Sequence, residues 1–317
     1  MNTNAFEISV IIPSRNRRNT LIQVLYALED QDYPKNLFEV IVIDDQSTDG
    51  TAEFLTAYQN QTVLNLTTVT GPAKTAGAAR NLGLSHARGR VVLFLDSDTI
   101  PKPNVISQHM LWQEHYGSHT CVLGRVLMSD KLEKRQQGRL NDTETKFDDE
   151  DIAELGWQEY RTANTSIQRE ICQLVGGFDE ELPAAEDTEF ASRLSFLQMR
   201  FIFISHIQVV HHHPITAHGY FNKGSMYGEA VALWYQKSPE LRHTLISRYG
   251  VFAPEMDSAK KLKYMMRALL INRVTVPVIS VTGHVTRTIW FECSDVLYAS
   301  VFRYHVRKAF RTRLRNA

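Results

Sequence analysis

Residues 38–50 read FEVIVIDDQSTDG, an apolar run that ends in two aspartates and a turn. The run from Phe38 to Ile43 predicts a buried strand. Residues 47–50 are typical of a turn and helix cap, and they lead into a helix predicted over residues 51–58. The pair Asp44-Asp45 therefore stands at the carboxyl end of a strand.

The same alternation continues on both sides of this unit. Further strands are predicted over residues 8–12, 63–69 and 90–95, with helices over 19–30 and 76–87. Alternating strands and helices indicate an α/β fold, a mostly parallel sheet sandwiched by helices. In such sheets ligands bind outside the carboxyl ends of the strands.

The composition is that of a globular protein. Of the 317 residues, 43% are hydrophobic and 22% are charged, and 35 basic residues balance 35 acidic ones. This balance gives no general case for a nucleic-acid partner. The three cysteines are widely spaced without a CxxC pair, which favours a reducing compartment over a zinc or disulfide framework. No secretory signal or membrane-spanning stretch is evident, so we expect a cytoplasmic protein.

The basic charge is concentrated at the end of the chain. Residues 257–317 contain 12 basic and 3 acidic residues. Apolar residues recur among them at helical spacing: Val296, Leu297, Val301, Phe302, Val306, Phe310 and Leu314. Such a helix suits the interface of an anionic membrane, here the inner face of the cell membrane. The alternative is that the stripe packs on the rest of the protein or on another subunit.

The segment 130–159 interrupts the regular pattern. It is strongly charged, and it predicts a mobile insertion or surface loop. Regular structure resumes around Tyr160, and a later strand is predicted over residues 201–210.

Asp96-Ser97-Asp98 follows the predicted strand 90–95. Two carboxylates at this spacing can share a divalent cation and orient it toward phosphate oxygens. A turn with solvated acids is the alternative. The motif also matches the nucleophile motif of haloacid-dehalogenase-type phosphatases, with Asp96 as nucleophile. Those enzymes place it on their first strand and need a later Gly-Asp pair, which is absent here.

Other candidate residues stand at element ends. Asp44-Asp45 could accept hydrogen bonds from a nucleobase or ribose, or cap a helix. Residues 71–81 open a helix with small residues and Arg80, as suits a diphosphate. Glu186-Asp187 begins a helix, where a carboxylate serves as a cap or a general base. His211-His212-His213 ends a strand, and these histidines are either metal ligands or ordinary strand residues.

Together these motifs resemble the family 2 inverting glycosyltransferases, which have the nucleotide-sugar-binding GT-A fold. The resemblance covers about residues 8–213, and its order and spacing are more specific than any single motif. The matching segments are residues 10–17, 40–51, 77–81, 95–98, 176–180 and 186–190.

The resemblance implies a role for each matching position. Pro13 and Arg15 line the nucleobase pocket, although the family often has an aromatic residue where Arg15 stands. Asp45 holds the uracil or ribose, and Arg80 lies near the diphosphate. The implied donor-binding residues are Pro13, Arg15, Asp44, Asp45, Arg80, Asp96 and Ser97. The implied ligands of Mn²⁺ or Mg²⁺ are Asp98 and one of the three histidines, with His211 taken as the match.

The implied mechanism follows from charge. The metal and Arg80 stabilise the departing diphosphate, and Asp187 accepts the proton of the acceptor hydroxyl. Attack from the opposite face inverts the anomeric centre. The resemblance places the hexosyltransferase domain at residues 1–255, with an acceptor-gating loop at 130–159 and a basic helical extension at 256–317. The acceptor is a carbohydrate, a lipid-linked or a small molecule. Candidate acceptor-side residues are Trp157, Tyr160, Asn164, Gly177 and Glu186.

Three alternatives remain at this point. A dehalogenase-type phosphatase hydrolyses phosphate esters without a sugar nucleotide. A nucleotidyltransferase needs an early Gly-rich basic loop, which is missing after Ile12. A non-catalytic sugar-nucleotide-binding protein retains Asp45 and is indifferent to the loss of Asp187.

Overall fold

The computed structural model describes residues 6–129, 151–212, 217–252, 256, 258–289 and 291–316. The chain divides into two compact units. The first contains the described residues up to 212 except 181–185, and the second contains 181–185 and the described residues from 217 onward. This division lies before the boundary predicted at residue 255.

The first unit contains nine strands and six α-helices among the described residues. The strands are β1 Ile8–Ser14, β2 Phe38–Asp44, β3 Leu66–Thr70, β4 Val91–Leu95, β5 Thr99–Pro101, β6 Thr120–Met128, β7 Ile152–Leu155, β8 Asn164–Gln168 and β9 Arg200–His211. The helices are α1 Arg18–Glu29, α2 Thr51–Gln59, α3 Ala76–His86, α4 Val105–Tyr116, α5 Arg169–Leu174 and α6 Glu186–Phe196.

All nine strands form one sheet. Its order is β3-β2-β1-β4-β8-β6-β9-β5, and β7 also pairs with β9. Strands β3, β2, β1 and β4 are mutually parallel, as predicted for the first hundred residues. The sheet as a whole is mixed, because β8 runs antiparallel to both β4 and β6, and β5 and β7 run antiparallel to β9.

Helices cover both faces of the sheet, which confirms the α/β sandwich. Val10 of β1 belongs to an apolar cluster that includes Leu25 of α1 and Met110 of α4. Its neighbour Ile11 belongs to a second cluster with Ala79 of α3 and Phe190 of α6. Successive side chains of a strand point to opposite faces, so a continuous apolar strand is buried on both sides.

The predicted loop at 130–159 is wrong in its final part. Ile152–Leu155 forms β7, and Trp157–Glu159 forms a 3₁₀ turn. In β7, Ala153 and Leu155 are buried while Ile152 and Glu154 are exposed. Glu154, the one charged residue of β7, therefore lies on the exposed side of the strand. Residues 130–150 lie outside the described part.

The second unit is helical. Its helices are α7 Ala217–Lys237, α8 Arg242–Tyr249, α9 Ser258–Leu270, α10 Thr275–Ile289 and α11 Phe291–Arg315, with a 3₁₀ turn at Pro239–Leu241. Within the described residues, no helix combines the length and the apolar character needed to cross a bilayer.

The apolar stripe of α11 packs within this unit. Val301, Val306 and Phe310 are fully buried. The Phe310 ring lies 5.6 Å from that of Tyr235 on α7. At Gly228 of α7, a Cβ atom would lie only 2.3 Å from the Val306 carbonyl oxygen, so the two helices need this glycine to approach closely. These three residues of the stripe are packing surface, as the alternative interpretation expected, whereas Val296 is 62% exposed. Membrane contact through α11 stays a prediction.

Candidate active site

Four parallel strands bring the predicted residues to one edge of the sheet. Because β1, β2 and β4 are adjacent and parallel, the loops that follow them emerge side by side. Pro13 is the penultimate residue of β1, and it pairs with Ile43 of β2. Ser97 is buried in the loop after β4.

The loops after β1 and β2 hold each other in place. The Asn16 backbone N–H donates to the Ser47 hydroxyl at 2.8 Å, and the Thr48 N–H donates to Asn16 Oδ1 at 2.7 Å. Asn16 adopts a positive φ of 53°, a backbone conformation that asparagine tolerates better than most residues. The two loops therefore form one assembly that carries both Arg15 and Asp45.

Asp44 and Asp45 have different surroundings. Asp45 Oδ2 lies 3.2 Å from Arg15 Nη1, and its Oδ1 accepts the Ala73 N–H at 2.9 Å. Asp44 is buried and its Oδ1 accepts the Ser47 N–H at 3.2 Å. Its Oδ2 is buried without a hydrogen-bond partner in the described part of the chain. Asp45 is thus the carboxylate beside the exposed cation, and Asp44 stabilises the turn.

Asp98 lies between an arginine and a histidine. Arg17 Nε is 3.6 Å from Asp98 Oδ2, and His211 Nε2 is 3.7 Å from Asp98 Oδ1. His211 reaches this position because β5 pairs with the end of β9, with Thr99 opposite His211.

The histidines of the run His211-His212-His213 differ in their contacts. The ring of His212 hydrogen-bonds through Nδ1 to the Ser129 hydroxyl at 2.8 Å, whereas His211 faces Asp98. His213 lies outside the described residues. His211 is therefore the member of the run that stands beside the acidic motif.

The donor set at Asp98 fits a cation held by few protein ligands. No group of three or more His, Cys, Asp or Glu side chains with metal-binding geometry occurs among the residues that the structure describes. His211 Nδ1 is buried without a hydrogen-bond partner there. A carboxylate and an imidazole suit Mn²⁺, and Mg²⁺ characteristically takes one or two carboxylates with phosphate oxygens and water. Asp98 and His211 fit such a site, with phosphate oxygens completing it.

Arg80 joins two carboxylates beneath this edge. Its Nη1 donates to Glu186 Oε1 at 2.7 Å, and its Nη2 donates to Asp96 Oδ1 at 3.0 Å. Only 5% of the Arg80 side chain is exposed. Both terminal nitrogens hold carboxylates, and the expectation that Arg80 lies near the ribose and diphosphate stays a prediction.

Charge and burial oppose each other in this cluster. Burial raises the pKa of both Asp96 and Glu186, and Arg80 acts in the opposite direction. Burial also acts to lower the pKa of Arg80, but Asp96 and Glu186 outweigh it and raise that pKa. The guanidinium stays charged and compensates carboxylates that are costly to bury alone.

Asp187 occupies the first turn of α6 and is partly exposed. Its Oδ1 accepts the Thr188 N–H at 2.7 Å and lies 3.2 Å from the Thr188 hydroxyl. A helix N-terminus stabilises a carboxylate there. Asp187 follows Glu186 directly, so the Arg80 ion pair also fixes the start of the helix that carries it.

Gly177 shapes the loop before α6. Its φ of 71° lies in the left-handed region, and a Cβ atom would approach Asn81 Oδ1 to 2.4 Å. Asn81 Oδ1 accepts the Phe178 N–H, and its Nδ2 donates to the Phe178 carbonyl. Asn81 thus fastens α3 to this loop, and the acceptor-side role of Gly177 stays a prediction.

Two predicted acceptor-side residues are structural. Asn164 is buried in β8, where its Oδ1 lies 2.9 Å from His109 Nε2 and its Nδ2 donates to the Ile207 carbonyl. Tyr160 is fully buried, with its ring 6.0 Å from that of Phe190. Neither residue is accessible to an acceptor. Trp157 is partly exposed and also packs on the core.

Arg17 is the site residue that sequence reasoning missed. Its position in the loop after β1, two residues beyond Arg15, could have predicted that it lies in the site. Both arginines emerge at the edge where the acidic residues gather, and each contacts one of them.

Comparison with known proteins agrees with this architecture. A family model described as glycosyl transferase family 2 matches residues 9–173, just over half of the chain. Poly(ribitol-phosphate) beta-N-acetylglucosaminyltransferase TarS of Staphylococcus aureus is 39% identical over 92 residues, which are 29% of this chain. The match spans only 16% of that relative's length.

Two solved structures share the fold. S. aureus TarS 1-349 in complex with UDP-GlcNAc has a TM-score of 0.56 at 18% identity, covering 97% of this chain and 92% of that chain. The mannosyltransferase PcManGT from Pyrobaculum calidifontis, in complex with GDP-Man and Mn²⁺, has a TM-score of 0.62 at 17% identity, covering 99% and 88%. At these identities the likeness shows the fold alone.

Proposed function

The chain belongs to glycosyl transferase family 2 and is a glycosyltransferase with the GT-A fold, and from this premise we propose an inverting hexosyl transfer. The donor is a UDP-linked sugar, and the acceptor is a hydroxyl of a carbohydrate, a lipid-linked or a small molecule. The UDP-GlcNAc bound by TarS supports the donor class.

One observation carries this proposal. A single loop after β1 contacts both acidic positions, Arg15 at Asp45 and Arg17 at Asp98, with distances of 3.2 and 3.6 Å. A nucleotide diphosphate is anionic along its phosphates and offers donors on its base and ribose. Alternating carboxylates and guanidiniums along one edge match that pattern of charge.

Asp98 and His211 would hold Mn²⁺ or Mg²⁺, and Asp45 would hold the uracil or ribose. The bound cation supplies positive charge near the leaving diphosphate. Arg15 and Arg17 are the exposed or partly exposed cations at the same edge. Arg80 acts by positioning, because it fixes Asp96 and the start of α6 from below.

Asp187 would take the proton from the attacking hydroxyl. It is partly exposed at the start of α6, whereas the neighbouring Glu186 is occupied by Arg80. With one base and attack from the face opposite the diphosphate, the anomeric configuration inverts. The phosphatase alternative is disfavoured, because Asp96 is held by Arg80 and the family is that of glycosyltransferases.

The test is calorimetric binding of UDP, UDP-sugars and GDP-mannose, each with and without Mn²⁺. We expect UDP compounds to bind more tightly with metal, and Asp98→Ala to remove that enhancement. Asp45→Ala should weaken binding even without metal. Metal-independent binding untouched by Asp98→Ala would overturn the site. The product's anomeric configuration, read by NMR once an acceptor is known, tests inversion.

A further inference from the structure

Helix α9 turns an apolar side to solvent. Leu262, Met265, Met266, Leu269 and Leu270 follow one another at intervals of one and three residues, which places them on one helical face. All five are between 59 and 78% exposed. In a globular protein such a face normally packs against the core.

The opposite side of α9 is held by the second unit. Tyr264 is buried, and its ring lies 5.2 Å from that of Phe252 on the segment after α8. The guanidinium of Arg307 on α11 lies 5.0 Å from the centre of the Tyr264 ring. These contacts orient the helix so that its apolar face points outward.

The exposed apolar residues continue into α10. Asn272 Oδ1 accepts the Val274 N–H at 2.8 Å and the Thr275 N–H at 3.2 Å, which fixes the turn between the two helices. Beyond this turn Val274, Val278 and Val281 are 65 to 80% exposed. We call the following eight residues the α9–α10 apolar surface: Leu262, Met265, Met266, Leu269, Leu270, Val274, Val278 and Val281.

The charge of this segment selects its partner. Residues 258–289 contain six basic and no acidic residues, and Arg273 is exposed beside Val274. Two copies of so basic a segment repel each other when brought together. An anionic surface is attracted instead, and apolar side chains flanked by basic ones are what an interfacial helix needs.

We propose that the α9–α10 apolar surface binds the interface of an anionic phospholipid bilayer. The leucines, methionines and valines enter the boundary between headgroups and acyl chains, and the exposed Arg273 faces the lipid phosphates. This places lipid contact on α9 and α10, away from Val301, Val306 and Phe310, the buried residues of α11. It adds to the proposed sugar transfer and does not depend on it.

The full chain is tested by flotation with vesicles of three parts phosphatidylcholine to one part phosphatidylglycerol. We expect binding at low salt that is strongly reduced at high salt and on pure phosphatidylcholine. Leu269→Ser combined with Val274→Ser should weaken partitioning roughly tenfold or more, because both side chains lose apolar burial in lipid. Arg273→Gln should weaken it by about fivefold.

A matched control is Leu174→Ser combined with Val63→Ser. These residues of the first unit are 70 and 66% exposed, so the chemical change is the same on a different surface. The control should float like the parent chain. The proposal would be overturned if the full chain did not bind at low salt, or if both double variants bound equally. It would also be overturned if sedimentation showed a dimer that Leu269→Ser with Val274→Ser dissociates and the control does not.

Discussion

Arg17 Nε lies 3.6 Å from Asp98 Oδ2, while His211 approaches the other oxygen of the same carboxylate. The guanidinium therefore partly neutralises the carboxylate that we propose as a metal ligand. A cation that binds Asp98 must compete with Arg17, or Arg17 must swing toward the phosphates of the donor.

Arg17→Gln should tighten binding of Mn²⁺ alone. A partly exposed ion pair contributes at most about 1 kcal/mol, which corresponds to up to about fivefold in affinity. Water-proton relaxation of Mn²⁺ solutions measures this. Arg15→Gln is the matched control, because Arg15 pairs with Asp45 and should leave the metal affinity unchanged. Weaker Mn²⁺ binding by Arg17→Gln would contradict this relationship.

Asp45→Asn should weaken binding of UDP by roughly tenfold or more in metal-free buffer, since a charged acceptor becomes a neutral one. Its Oδ1 can still accept the Ala73 N–H, so the loop should keep its fold. Calorimetry gives the affinity, and the thermal transition checks the fold. Unchanged affinity with an unchanged transition would remove Asp45 from the donor site.

Asp187→Asn should lower turnover by roughly 10²–10⁴-fold, because an amide cannot accept the hydroxyl proton. Donor affinity should change little. The control is Asp32→Asn, the same change at an exposed carboxylate after α1. A near-normal rate in Asp187→Asn would transfer the role of base to another group.

Arg80→Met should cost about 3 kcal/mol of unfolding free energy at pH 8, since it strands the largely buried Glu186 carboxylate and removes a partner of the partly exposed Asp96. Because burial raises the pKa of both carboxyl groups, the loss should shrink as the pH is lowered from 8, since a protonated carboxyl group needs no cationic partner. Arg200→Met breaks an exposed pair with Glu154 and should cost much less, because water screens an exposed ion pair. Urea unfolding compares the two, and equal losses would show that Arg80 is not a buried bridge.

His109 should make the first unit sensitive to acid. Burial lowers its pKa to about 4, where a hydrogen bond with Asn164 only partly opposes the shift. Between that value and about 6.5 the unfolded chain takes up a proton that the folded chain refuses. Stability therefore falls as pH drops below about 6.5.

His109→Gln can keep a donor toward Asn164 and an acceptor toward Ser166, and it does not titrate. Between pH 7 and 5 the parent chain should lose about 2 kcal/mol more than this variant. Urea unfolding at the two pH values measures the difference. The same pH profile in both proteins would show that His109 is not the group responsible.

The apolar strands could be read directly from the sequence, while the polar strand β8 could not. Strands β1, β2 and β4 are mainly apolar runs, although β1 contains Ser9 and β2 contains Glu39. The acidic residues at the ends of β2 and β4 follow from the direction of the chain. In β8 the buried Asn164 and Ser166 are satisfied by His109 and by Gln113, whose Nε2 donates to the Ser166 carbonyl at 3.0 Å. Those partners lie more than fifty residues away.

The ion-pair partners were hidden for the same reason. Arg80 stands 16 residues from Asp96 and 106 from Glu186, so its sequence neighbourhood predicts an ordinary cation near a phosphate. Residues 10–17 identified the loop of Arg17, but only the geometry shows that this arginine contacts Asp98. The local sequence motifs therefore predict where the site lies, while only the long-range contacts in the structure show which charged residues pair with each other.

The three-residue strand β5 determines which histidine faces Asp98. Thr99 pairs with His211, and Ile100 pairs with Val210. Because side chains alternate between the two faces of a strand, a slip of one residue would present Val210 or His212 instead. The length of the short connection from β4 to β5 thus sets the position of Asp98 relative to His211. Inserting or deleting one residue within it would separate the two side chains while leaving the parallel strands intact.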